Sequence, residues 1–314
     1  MSLLSVGTMA FDSIETPFGK AERIIGGSAM YVAWAASHFY QNINQVSIIG
    51  HDFPDSEMQE LSVKGVNFDG VESVKDGKSF FWSGKYHEDM NSRDTLITEL
   101  NVLEQFDPKL PESYKTPKCL MLGNLAPATQ ISVLDQLNQK PGLVVLDTMN
   151  FWMDVALGEL KTVLKRIDVL VINDSEARQL SGEKALIKAA VKIQEMGPRS
   201  LIIKKGEHGA LLFEDDRVFS APAMPLAEVF DPTGAGDVFA GGFVGYLAAT
   251  GDYSFENKKT AVIAGSVLAS FCVEKFGVQR LKEINQKDIM ERMVAFNDLA
   301  RFNSGIMPEL TGLS

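Results

Sequence analysis

The chain of 314 residues is 45% hydrophobic and 23% charged, an ordinary globular composition with enough apolar material to bury a sizeable core. A formal net charge of -11 sets it against phosphate backbones and anionic lipid surfaces, which argues against nucleic-acid and membrane-surface partners. No apolar stretch approaches the roughly 18 residues that cross a bilayer, no basic leader precedes the short apolar start, and the two cysteines, Cys119 and Cys272, lie in apolar runs that read as core, so a cytoplasmic location is expected.

Taken in chain order, short apolar runs at 3–6, 46–49, 119–122, 143–146, 169–172 and 201–203 read as buried strands. Helical spacing follows most of them, over 28–40, 128–138, 153–165 and 184–196. Buried strands alternating with helices predict an α/β fold, a doubly wound, mostly parallel sheet flanked by helices. In such sheets ligands bind beyond the carboxyl ends of the strands. Two segments break the alternation. Residues 11–25 are a polar excursion between the first strand and the first helix. Residues 77–103 carry Phe80, Trp82 and Tyr86 at even spacing, and 95–102 alternates again. These read as strands of a small β-sheet exposed on one face, either a lid beside the ligand end or a plain surface hairpin. The expected organisation is one domain over 1–301 with these two lid segments inserted, and a loosely held tail at 302–314.

The densest chemistry lies in Asp231-Pro232-Thr233-Gly234-Ala235-Gly236-Asp237. It leads into 238–249, apolar all round and rich in small residues (Ala240, Gly241, Gly242, Gly245), which reads as a buried, closely packed helix. Pro232 biases Asp231 toward extended geometry, so the chain arrives as a turn. The glycines clear side chains from the helix start. Free N–H groups at the positive end of a helix then make an anion site. Asp237 falls in the first turn, where it suits a helix cap or a general base held beside a bound phosphate. The second arrangement fits phosphoryl transfer, in which catalysis is mostly positioning and charge stabilisation. No Gly-Lys-Ser/Thr follows, so this is not a Walker A loop, and it is not a dinucleotide fingerprint.

From Asp231 to Gly242 the chain resembles the carboxy-terminal signature of the ribokinase-like (PfkB-type) carbohydrate kinases, an Asp-Thr-x-Gly-Ala-Gly-Asp pattern before a small-residue helix. The resemblance implies transfer of the γ-phosphoryl of MgATP to a hydroxyl, primary in the expected case, of a sugar or sugar derivative, with a nucleoside as the alternative acceptor. It implies Asp237 as the catalytic base, the backbone of Gly234, Ala235 and Gly236 as the anion hole, Thr233 beside the nucleotide, and Asp231 near a monovalent cation such as K+. A binding or regulatory protein on the same fold is the alternative from another class. The intact Gly-Ala-Gly-Asp stands against it, since a binder has no need of a base beside an anion hole.

Further segments resemble the family in the expected order, from about residue 2 to about 295. Gly26-Gly27-Ser28-Ala29-Met30-Tyr31-Val32-Ala33 is similar to the amino-terminal double-glycine signature, where backbone approaches substrate; the plainer reading is a helix entry capped by Ser28. The match departs at Tyr31, where many sugar kinases carry an Asn on the sugar hydroxyls; a phenol there either stacks on a ring or narrows the pocket. Asp12 matches an Asp that binds substrate hydroxyls, a suitable acceptor for a vicinal diol. Asn124 and Asn91 are further substrate candidates. Asn173-Asp174-Ser175-Glu176 resembles an Asn-x-x-Glu motif, implying Asn173 near the ATP phosphates and Glu176 ordering magnesium through water; the spacing also suits a capping box. Lys204-Lys205-Gly206-Glu207-His208-Gly209 resembles the turn under the nucleotide, with Gly206 and Gly209 in a tight turn, Lys204 or Lys205 offsetting phosphate charge and His208 solvated. Asp147 to Trp152 loosely resembles an Asp-Pro-Asn segment without its Pro. The segment 258–272 matches a helix flanking the adenine, and Gly277 a turn near the cation. Exposed lid edges would also allow a homodimer.

Overall fold

Strands that are apolar on both faces have to lie inside a sheet covered on both sides. The computed structural model, which describes residues 2–301, shows this arrangement; the tail expected at 302–314 lies outside the described residues. In chain order the elements are β1 (Leu3–Val6), β2 (Ala10–Thr16), β3 (Gly19–Gly26), α1 (Ser28–Ser37), β4 (Ile43–Gly50), α2 (Asp55–Val63), β5 (Val66–Val74), β6 (Phe80–Tyr86), β7 (Arg93–Glu99), β8 (Cys119–Leu122), α3 (Pro127–Asp135), β9 (Leu143–Asp147), α4 (Asn150–Val155), α5 (Leu157–Leu164), β10 (Val169–Asn173), α6 (Asp174–Ser181), α7 (Leu186–Gln194), β11 (Ser200–Lys204), β12 (Ala210–Glu214), β13 (Arg217–Ala221), α8 (Ala235–Thr250), α9 (Phe255–Cys272), α10 (Gln279–Glu283) and α11 (Gln286–Ala300).

Nine strands form the main sheet in the order β13-β12-β11-β10-β9-β8-β1-β4-β5. From β11 to β5 all neighbours are parallel, and β12 and β13 return antiparallel. Alternate strand residues feed two core layers. Leu3, Met121, Val145 and Val171 pack with residues of α1, α8 and α9 on one face. Leu4, Leu122, Leu146 and Ile172 pack with α3, α5 and α7 on the other. The small residues of α8 serve close packing. A β-carbon on Gly241 would stand 2.7 Å from the Val32 carbonyl oxygen, and one on Gly242 2.9 Å from Gly265 Cα. Held this closely between α1 and α9, α8 presents its first turn at a fixed place.

The second sheet has the order β3-β2-β6-β7. Two antiparallel hairpins, β2–β3 and β6–β7, join through a parallel β2–β6 pair. It uses the two segments that broke the alternation in the sequence, and every residue of β7 is exposed. The strand expected to continue to 102 stops at Glu99, because Asn101 takes φ +50 and donates its side chain to the Ser79 carbonyl at 3.0 Å. The single helix expected over 153–165 is two, α4 and α5, broken at Ala156, which takes φ -141. Both cysteines are free and buried, as expected of core residues. Among the described residues no helix is long and apolar enough to cross a membrane.

One buried ion pair ties α9 to the antiparallel end of the sheet. Lys258 donates to Glu214 and, at 2.9 Å, to Ser200 Oγ; Arg217 also reaches Glu214 at 2.6 Å. Removing one member of a buried pair strands the other charge, at a cost of about 3–5 kcal/mol. Arg217 remains in Lys258→Met, so the lower end, about 3 kcal/mol, is expected as lost stability in urea unfolding. An unchanged midpoint would show that the pair adds nothing to the fold.

Candidate active site

The site is built around the start of α8. Gly234 precedes the helix at φ 73, a left-handed conformation that favours glycine. It also lies against Tyr31, since a β-carbon there would stand 2.5 Å from Tyr31 Cε1. Asp231 fixes the loop from both sides: Oδ1 accepts the Thr233 N–H at 2.8 Å and Oδ2 the Gly277 N–H at 2.9 Å. The Cys272 thiol lies 3.8 Å from the carbonyl oxygens of both Thr233 and Gly277. These contacts hold the loop together. Of the three residues expected to line the anion hole, Ala235 gives its N–H to the Pro232 carbonyl at 3.2 Å. The N–H groups of Gly234, Gly236 and Asp237 have no backbone acceptor among the described residues and point the helix dipole at whatever binds there.

Asp237 lies in the first turn of α8 and does not cap it, as no side-chain cap bond is present. Burial pushes its carboxyl up to about 7, and the charge of Asp147 adds to this; Lys204 and Arg93 oppose it. Lys204 closes the floor of the site. Its Nζ lies 3.5 Å from Asp147 Oδ1 and would be 2.8 Å from a β-carbon on Gly236. Burial works against its charge, but Asp147, Glu176 and Asp237 outweigh it and hold the ammonium above its ordinary range.

Asp12, Gly26 and Gly27 form the opposite wall. Asp12 sits at an irregularity in the β2–β3 pairing and is 5% exposed. A β-carbon on Gly26 would fall within its carboxylate, and one on Gly27 would strike the Thr8 carbonyl. Burial and the charges of Asp231 and Asp237 push Asp12 up to about 8. Ser28 does not cap α1, where Gly27 is the capping position; its Oγ accepts the Thr8 N–H at 3.1 Å instead. Tyr31 is 1% exposed and its hydroxyl is buried without a partner. Its ring, packed on Gly234, is closed off from stacking on a ligand and narrows the site from below.

The remaining sequence candidates spread along the carboxyl edge of the sheet. Asn173 and Glu176 form the capping box reciprocally, at 2.7 and 2.8 Å. Glu176 is nonetheless buried, which pushes its carboxyl up to about 7. Gly206 (φ +55) and Gly209 (φ +81) shape a short turn closed by Lys205 N–H to Gly209 O at 2.8 Å, and His208 is exposed. Thr233 Oγ1 donates to Tyr86 Oη at 3.2 Å. Asn124 is engaged elsewhere, accepting Trp152 Nε1–H at 2.8 Å and facing Met149 Sδ at 3.0 Å. Two residues were missed. Asp147 had a usable signal, because it ends β9 just as Asn173 and Lys204 end β10 and β11. Arg93 had none, since it starts a strand whose approach to α8 depends on the second sheet.

A buried acid beside N–H groups that have no backbone acceptor among the described residues, at a helix start and near a second buried carboxyl, is a layout that suits phosphoryl transfer on an α/β fold. The family description "pfkB family carbohydrate kinase" matches residues 3–285, and the chain belongs to that family. A cytidine kinase of Thermococcus kodakarensis is 30% identical over 250 residues, 78% of this chain and 87% of the relative. Among solved structures, a Burkholderia thailandensis nucleoside kinase in complex with inosine superimposes with a TM-score of 0.74 at 20% identity, covering 93% of this chain and 98% of that one. An Arabidopsis thaliana ribokinase complexed with ribose and ATP gives 0.74 at 21% identity, with 93% and 98% covered. The likeness to these two structures concerns the fold.

Proposed function

We propose that the protein transfers the γ-phosphoryl group of MgATP to a primary hydroxyl of a nucleoside. The observation that carries the phosphotransfer is Asp237, buried, uncommitted to the helix cap and adjacent to N–H groups that lack backbone acceptors among the described residues. Its carboxylate takes the proton of the acceptor hydroxyl, whose oxygen attacks the γ-phosphorus in line. The N–H groups of Gly234 and Gly236 bind the oxygens on which charge develops. Asp12 accepts hydrogen bonds from the acceptor's remaining hydroxyls against the Gly26-Gly27 wall. The triphosphate lies along Asn173, Lys204, the Gly206–Gly209 turn and Thr233. Glu176 and Asp147, two buried carboxyls flanking Lys204, suit a magnesium ion that keeps most of its waters and takes its other oxygens from phosphate; bound there, it would neutralise phosphate charge. The second sheet acts as a lid over the reacting groups, and its exposed β7 edge supports pairing with a second copy.

The nucleoside acceptor rests on the cytidine kinase relative, and on an aromatic pair in α4, the short helix that follows β9. Phe151, 51% exposed, packs edge-on to Trp152 with centroids 4.9 Å apart, and Trp152 is oriented by Asn124. A free pentose is the second reading, favoured by the ribokinase likeness. ADP release with MgATP across a panel of nucleosides and the corresponding free sugars separates them. Turnover that requires the base supports the nucleoside; equal or better turnover of the free sugar replaces it. No ADP release and no ATP binding would sink the kinase reading itself.

The raised pKa of Asp237 has a kinetic consequence. The base acts deprotonated, so kcat/KM, with both substrates subsaturating, rises with pH through about 7. Asp147 raises this value and also draws on Lys204, which lowers it. Asp147→Asn is therefore expected to move the rise to lower pH. A limb that stays in place would show that Asp147 does not act on the base.

A further inference from the structure

The amino ends of the strands carry a second polar place, on the edge of the main sheet opposite the site above. Along β4, residues 44, 46 and 48 share one face, where Val46 and Ile48 join the aliphatic layer that also holds Leu4. Asn44 continues that row. It is paired with Leu4 on β1 and with Asn67 on β5, in an interior strand that calls for an aliphatic residue here. It is 8% exposed, and its carboxamide makes no hydrogen bond among the described residues. A buried amide is costly unless something outside the chain completes its bonds.

The surroundings of Asn44 are shaped with it. Between Asn44 and Val46 the pairing with β5 slips from Asn67 to Gly70, an irregularity of the kind that re-aims side chains. Gly70 makes room for the ring of Tyr114, whose Cε2 would stand 2.7 Å from a β-carbon there. Tyr114 is 1% exposed and donates its hydroxyl to Asn67 Oδ1 at 2.6 Å. Asn67 Nδ2 donates in turn to Asp69 Oδ2 at 3.1 Å. The amide of Asn67 is thereby held in one orientation, with its second N–H left over. Asn42, Asn44 and Asn67 face Ser113, Tyr114 and Thr116 across a cavity of about 350 Å³, and no residue lining it carries a charged side chain. That volume lies in the range of small-molecule sites.

We propose that this cavity is a second small-molecule site, one that binds an uncharged polyol through the hydroxyls of a free pentose or of the ribosyl group of a nucleoside. It lies roughly 20 Å from the carboxyl ends of the strands, the length of β4 from Asn44 to Gly50. A carboxamide presents a donor and an acceptor side by side, which matches two adjacent hydroxyls, one accepting and one donating. The lining stands against other ligand classes. It offers no cation to neutralise a phosphate and no carboxylate to hold a divalent metal. The one aromatic ring, that of Tyr114, is buried against Gly70 and gives a nucleobase no face to stack on. An occupant bonded to Asn44 and Asn67 on one side and to the Ser113 and Thr116 hydroxyls on the other would join β4 and β5 to the segment before β8.

Equilibrium dialysis with labelled D-ribose and labelled cytidine tests this. Both probes also suit the acceptor wall, so the titrations are run on Asp12→Ala, in which that wall is impaired. Expected is binding by Asp12→Ala that Asp12→Ala/Asn44→Leu weakens about tenfold or more. The melting temperature of Asn44→Leu without ligand stays level or rises, because leucine suits the aliphatic layer and an amide that served the fold would be missed. Thr116→Val changes an exposed hydroxyl and keeps the side-chain shape, and it is expected to weaken binding about threefold or more even if Asn44→Leu fails to fold. Ribose and cytidine held alike assign the ribosyl hydroxyls, and ribose held alone assigns the free sugar. The proposal is overturned if neither probe binds, if binding is the same in Asn44→Leu and Thr116→Val as without them, if cytidine alone binds, or if ribose 5-phosphate is held as tightly as ribose. Dialysis needs no turnover, so a failure of the kinase reading would leave this test in force.

Discussion

Asp237→Asn lowers kcat by about 10³–10⁴, at the upper end for a positioned general base, while its melting temperature at pH 8 stays level or rises. The two halves of this expectation have one cause. Folding buries the carboxyl and lifts it from 3.8 to about 7. A group whose folded value is raised contributes stability that is full below its unfolded value and is lost as pH rises through the folded one. At pH 8 the wild type therefore bears an ionised, buried carboxylate, a cost that asparagine does not carry. At pH 5 the wild-type carboxyl is mostly protonated and the advantage of the variant shrinks. Steady-state kinetics beside thermal melts at both pH values check this. A helix cap makes the opposite prediction for stability, a loss of about 1 kcal/mol on substitution. Lower activity with a lower melting temperature at both pH values would assign Asp237 to the architecture of α8.

The parts of this molecule that were legible in the sequence are those in which one residue type has one physical reason to be there. Uninterrupted apolar runs at 119–122 and 169–172 had to be interior strands. Glycines at 234 and 236, before an apolar segment of small residues, had to free a helix start. The edge elements were less legible. β5 is half-exposed and reads as loop, and α2 buries only Leu61. Tyr31 shows a different limit. Its place in the double-glycine segment was readable, but its destination was not, because the contact with Gly234 spans two motifs far apart in the chain. Arg93 is the extreme case, polar, exposed and in an alternating strand, where only the third dimension distinguishes it from a solvated residue.

Gly26→Ala carries the second large effect, and it separates the two halves of the site. Gly26 does not have a positive φ, so its backbone accepts alanine. The obstacle is the Asp12 carboxylate, which occupies the place of the new methyl. Asp12 cannot back away, being 5% exposed on a strand paired on both sides. Either the carboxylate swings out or β2 and β3 part, at a cost in stability of about 1–3 kcal/mol, as for overpacking elsewhere. Read at pH 9, above the value of about 8 to which Asp12 is pushed, the expected result is a loss of about 10² or more in kcat/KM for the acceptor, equivalent to losing a charged hydrogen bond of roughly 3 kcal/mol. The KM for MgATP stays within about threefold, because the strand ends to which we assign the nucleotide are untouched. Asp12→Ala alone reproduces the kinetic loss without the strain. The double variant Gly26→Ala/Asp12→Ala recovers the stability of Asp12→Ala and is kinetically no worse than either single change, since two substitutions acting through one carboxylate do not add. Additive kinetic losses, or an equal loss of MgATP affinity in Gly26→Ala, would mean that the double-glycine segment acts on both substrates, and the division between acceptor wall and nucleotide edge would have to be redrawn.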